Sequence, residues 1–175
     1  MIPNLDKIRQ VAEKDGYAKE IGTFIDNLGN QDPSKALYVA RTLFFAPETH
    51  PRVRYTIGER LGQLGNHQLF TQILSYFILQ SFPDRMALIS SLRSFGNREA
   101  LPALIEYYPL ASYRECLEII EALASIQAPE AVEFLSSIYN EQVTYRDNYS
   151  PKEIETIRER SSSALSRTLM RFDFL

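Results

Sequence analysis

The side chains best able to do chemistry in this sequence are few: one cysteine and two histidines. Cys116 stands in Tyr-Arg-Glu-Cys-Leu-Glu, with carboxylates one position before it and two after. A nucleophilic thiol needs a lowered pKa, which comes from nearby cations or a helix N-terminus. Acidic neighbours push the other way, so Cys116 is expected to be a buried structural thiol. His50 precedes Pro51, and His67 follows Gly65-Asn66. Neither has Cys, Asp or Glu at the spacing of a zinc site. No phosphate-binding glycine loop, dinucleotide fingerprint, HExxH or GxSxG is present. The expectation is a chain without metal or cofactor and without catalytic residues.

Two wider patterns remain. Phe77, Tyr108 and Tyr139 recur at equal spacing and suggest a stacking platform, but they continue apolar stripes and are expected in the core. Tyr76 and Tyr107, one residue earlier, fall at the stripe edge, where a tyrosine offers a flat apolar body and a polar tip to a partner. The second pattern is charge. Thr49–Arg98 holds six arginines (Arg52, Arg54, Arg60, Arg85, Arg93, Arg98) against Glu59 and Asp84, a balance of +4. Glu99–Gln142 holds eight glutamates (Glu99, Glu106, Glu115, Glu118, Glu121, Glu130, Glu133, Glu141) against Arg114, a balance of −7. Such asymmetry reads as a solvated surface paired between neighbours, as contact patches of opposite sign, or as head-to-tail self-association. Nucleic-acid binding through these arginines is a second alternative, disfavoured because the acidic stretch repels phosphates over a Debye length of about 8 Å.

The elements that must position these residues are helical. Leu69, Phe70, Ile73, Leu74 and Phe77 mark one face of a 3.6-residue period, and Ile57, Leu61 and Leu64 mark another. No alternating run with hairpin turns argues for strands. Asp32-Pro33, Ala128-Pro129-Glu130 and Ser150-Pro151-Lys152-Glu153 are helix starts. Gly29, Gly65 and Gly96 each follow an apolar residue and precede Asn, as left-handed glycines at helix ends do. The spacing predicts about ten helices, over roughly 4–14, 17–28, 33–46, 50–64, 67–80, 84–95, 98–108, 112–126, 129–143 and 151–172. Arg146–Ser150 is the expected loose connection.

Shifted by 31 residues, the sequence overlays itself. Leu61, Leu92 and Leu123 align, as do Leu64, Phe95 and Ile126. So do Phe70, Leu101 and Val132, then Ile73, Leu104 and Leu135. Arg54 aligns with Arg85, and Cys116 takes that place in the third copy. A fixed period of this size predicts stacked helical hairpins, each hiding its apolar face against the next. The expected fold is an all-α solenoid of about five hairpins in one domain over 1–175. Its clearest repeats are 50–140, and helix 151–172 caps the end.

The residues Arg54, Leu61, Leu64, Gly65 and Ile73, then Arg85, Leu92, Phe95, Gly96 and Leu104, resemble the HEAT-repeat superfamily, most closely its phycobilisome-lyase-type repeats. The resemblance implies a non-catalytic protein-binding scaffold or, as the alternative, a lyase or handling factor for bilin chromophores. The candidate partner-binding residues are Tyr76, Tyr107, Glu99, Glu106, Glu130, Glu133, Arg54 and Arg85. The N-terminal ten residues lack the apolar run of a secretory signal, and no stretch reaches the length of a membrane span, so a soluble cytoplasmic protein is expected. The apolar end Phe172-Asp173-Phe174-Leu175 is expected to tuck into the core or offer a docking peptide.

Overall fold

The computed structural model describes residues 5–145 and 149–172. The chain end at 173–175 and most of the 146–150 connection lie outside the described residues. Ten α-helices form, with no strand among the described residues: α1 (Leu5–Ala12), α2 (Ala18–Gln31), α3 (Pro33–Phe45), α4 (Pro51–Leu64), α5 (His67–Ile78), α6 (Arg85–Phe95), α7 (Leu101–Tyr107), α8 (Tyr113–Ser125), α9 (Pro129–Tyr139) and α10 (Pro151–Phe172). Single 3-10 turns at Arg98–Ala100 and Tyr108–Leu110 flank α7.

The starts follow from capping chemistry. Asp32 accepts a hydrogen bond from the Lys35 amide at 3.0 Å, and Pro33 opens α3. Asn66 caps α5 through the Leu69 amide at 3.0 Å. Ser150 and Glu153 exchange bonds at 2.9 and 3.3 Å, a closed capping box at the head of α10. The ends were less legible. Gly29 lies inside α2, which runs on to Gln31, and Gly65 has φ −85°. Of the three expected left-handed glycines, only Gly96 adopts that conformation, at φ +58°. Gly65 is instead required by space, since a Cβ there would lie 2.6 Å from the Leu61 carbonyl oxygen and 2.8 Å from the Phe95 ring.

The described residues fall into two compact units, Met1–Phe95 and Gly96–Leu175. In the first, α2, α4 and α6 pack side by side, with α3 against α2 and α4, and α5 against α6. In the second, α8, α9 and α10 pack mutually, and α7 adjoins α8 and α9. Consecutive helices thus stack as hairpins. The register found by self-overlay forms the core: Leu61, Leu92 and Leu123 are fully buried, as are Ile73, Leu104 and Leu135. Bonds between neighbouring hairpins span a similar separation, from 31 to 35 positions. Arg41 bonds Gln72, 31 positions on, and the Gly62 amide bonds Ser94, 32 positions on.

Candidate functional site

The histidines and the cysteine are placed structurally. His50 caps α4, its Nδ1 accepting from the Arg52 amide at 3.3 Å, while its own amide donates to the Ala12 carbonyl. His67 is exposed at the head of α5. Among the described residues, no three His, Cys, Asp or Glu side chains converge on a metal position. Cys116 is buried, with Sγ 3.7 Å from the Tyr108 carbonyl oxygen, 4.0 Å from that of Ala111 and 3.5 Å from the Tyr149 hydroxyl. Tyr108, Tyr145, Tyr149 and Tyr113 ring this position. Burial first, and then the neighbouring thiol, pushes the Tyr108 hydroxyl pKa up, and burial raises that of Tyr145. These phenols stay protonated throughout the physiological range.

The aromatic column divides. Phe77 and Tyr108 are buried, as expected of core. Tyr139 is exposed at the end of α9, with the Arg158 guanidinium 5.8 Å from its ring centre. It borders an open groove of about 500 Å³ with Glu155, Arg158, Glu159, Ser162 and Ser163. Tyr76 is half-buried beside Phe45 and Phe82, at ring separations of 5.6 and 5.8 Å, and Tyr107 is half-buried as well.

The arginines form ties between helices rather than a basic track. Arg60 on α4 clasps Asp26 on α2 at 2.7 and 2.9 Å. Arg93 on α6 holds Glu59 on α4 at 2.9 Å. Arg98 bonds Glu130 at the head of α9, and Arg52 lies 3.4 Å from Asp15. Arg85 donates to the Gln80 side chain at 3.4 Å. Arg54 leaves the set of candidate contacts. It is buried to 4% exposure, donates to the Phe44 and Ala46 carbonyls at 3.0 and 2.8 Å, and faces Asp84 at 3.4 Å. Its guanidinium closes the end of α3, where carbonyls lack helical partners.

The acidic stretch is neutralised only in part. Arg167 on α10 grips Glu121 on α8 at 2.9 Å, and Arg158 holds Glu141 at 2.9 Å. Arg98 holds Glu130, whose carboxyl pKa falls below the usual range through its own backbone amide and then through Arg98. Glu99, beside α7, Glu106 on α7 and Glu133 on α9 are exposed and meet no cation within 4 Å among the described residues. Glu99 and Glu106, seven apart, share a face, and α7 adjoins α9. Three carboxylates without a cation among the described residues therefore lie on or beside this pair of second helices. No protein-family model, curated protein or solved structure matches this chain.

Sequence reasoning missed another exposed set: Tyr38 on α3, Ile78 and Leu79 at the end of α5, and Leu110 after α7. One signal was available for it. The α5 segment HQLFTQILSYFI contains no charged residue although the helix is half exposed to solvent.

Proposed function

We propose that the chain is a protein-binding scaffold of stacked HEAT-type hairpins, whose contact surface is the exposed face of α7 and α9. The observation that carries this reading is the carboxylate set Glu99, Glu106 and Glu133. These side chains stay open while nearly every arginine of the preceding stretch is used in an internal tie. Exposed charge that serves no partner within the fold favours a complementary surface elsewhere and speeds its approach. The 31-residue register, seen in the buried columns, supports the repeat architecture that such scaffolds use.

The test is affinity capture from native extract with the wild-type chain and with the Glu99→Lys, Glu106→Lys, Glu133→Lys triple variant. Bound material is read by mass spectrometry and by visible absorbance. Proteins retained by the wild type and lost by the variant, at equal thermal stability, support the surface. Identical retention by both removes it. Pigment on either bait moves the bilin-handling alternative into first place.

A further inference from the structure

We infer that a second copy of this chain is the partner of the α7–α9 surface, and that it is received on the α3–α5 face of the first unit. The inference rests on the scaffold reading and names the occupant of its site.

The α3–α5 face has the composition of an interface centre. Helix α5 carries no charged side chain, and α3 carries only Lys35 and Arg41. Tyr38, Ile78 and Leu79 are 54%, 58% and 73% exposed. Interface centres lose charged residues and gain aromatic side chains and arginine, which is this inventory. Of the two cations, Lys35 is held by Asp32 at 2.8 Å. Arg41 is exposed, bonds only the neutral Gln72 amide oxygen at 3.1 Å, and has no carboxylate within 4 Å among the described residues. An apolar face with one uncommitted cation wants apolar groups bordered by carboxylates.

The second unit presents that combination. Glu99, Glu106 and Glu133 meet no cation among the described residues, and Leu110, four residues after Glu106, is 48% exposed. Each face supplies what the other lacks, in sign and in apolar area. The contact is heterologous: one patch of a copy meets a different patch of the next.

The experiment is sedimentation velocity of the full chain from about 1 to about 200 µM, at about 0.05 and about 0.5 M salt. Association that grows with concentration and weakens with salt is expected. Leu79→Ser and Arg41→Glu each should raise the dissociation constant about tenfold or more. The decisive arm mixes Leu79→Ser with the Glu99→Lys, Glu106→Lys, Glu133→Lys chain. At a concentration where neither associates alone, the two together form a dimer that grows no further, because only one intact pair of faces remains. All of these side chains are exposed and only Arg41 gives up a hydrogen bond, to Gln72, so thermal melts should show every variant folded. A monomer at every concentration, or association indifferent to Leu79→Ser, overturns the inference. A monomeric chain that still captures another protein through Glu99, Glu106 and Glu133 overturns the second copy as partner and leaves the scaffold standing.

Discussion

The Arg54 guanidinium and the Asp84 carboxylate lie 3.4 Å apart, both largely buried, and join the end of one helix to the start of another. Asp84 accepts from the Ala87 amide at 3.2 Å and so caps α6, while Arg54 covers the last carbonyls of α3. The Phe82 ring lies 5.4 Å from the guanidinium carbon.

Removing one member of such a pair strands the other away from water. Arg54→Met should cost about 3–5 kcal/mol in urea unfolding. Arg54→Lys should recover little, because one ammonium cannot reach two carbonyls and a carboxylate in the guanidinium's fixed fork. A loss under about 1 kcal/mol for Arg54→Met would contradict this placement.

Gly62 and Gly29 should respond in opposite directions to alanine. A Cβ at Gly62 would fall 2.0 Å from the Ser94 carbonyl oxygen and 2.4 Å from the Phe95 nitrogen, both backbone atoms of α6. Helices α4 and α6 would have to separate, at about 1–3 kcal/mol or more. At Gly29 the nearest atom is the Leu64 Cδ2 methyl at 3.3 Å, and the residue is helical. Gly29→Ala should therefore be neutral or stabilising by up to about 1 kcal/mol. Thermal melts of both variants check the contrast.

Stability should fall on acidification through the carboxylate range. The Asp32 carboxyl is held below its usual pKa by the Lys35 side chain and amide, and that of Glu153 by the Ser150 amide and hydroxyl. A depressed folded-state pKa means that the unfolded chain binds protons first. The stabilisation is thus complete above the unfolded value, near 4, and disappears as pH drops through the folded value. Melting temperatures between about pH 6 and pH 3 should decline, and Glu153→Gln should flatten part of that slope.

Cys116 should react with thiol reagents only as the second unit opens. Tyr149 donates its hydroxyl to the Ala111 carbonyl over the sulfur, so Tyr149→Phe should cost about 0.5–1.5 kcal/mol and speed labelling. Labelling at the rate of a free thiol in the wild type would show the sulfur to be accessible.

Helix starts were legible because their signals are local. Pro33, Pro129 and the Ser150–Glu153 box act within one turn, and the structure places them as read. The buried leucine columns were legible for a similar reason, since the 31-residue period repeats them. The charges were not. Counting along the chain gave a basic stretch, yet Asp15 and Asp26, outside that stretch, neutralise Arg52 and Arg60. Arg54 looked like a surface contact because nothing in one turn of sequence reveals the carbonyls of Phe44 and Ala46 above it. Gly65 shows the same limit. Its neighbours in sequence suggested a left-handed turn, whereas its role is set by the space left between the Leu61 carbonyl and Phe95, thirty residues away.

Helices α4 and α6 meet along glycine and serine. Gly58 would place a Cβ 2.8 Å from the Ala87 carbonyl oxygen, and Ser94 Oγ accepts from the Gly62 amide at 3.0 Å and donates to the Glu59 carbonyl at 2.8 Å. With backbones this close and polar groups satisfied across the seam, neither helix can fray without exposing the other. Amides at its centre, around Gly58 and Leu61 on α4 and Ser91 on α6, should therefore exchange with deuterium only in the global opening of the first unit. Limited proteolysis should leave a resistant piece spanning about 51–95, while the termini and surface connections are cut first.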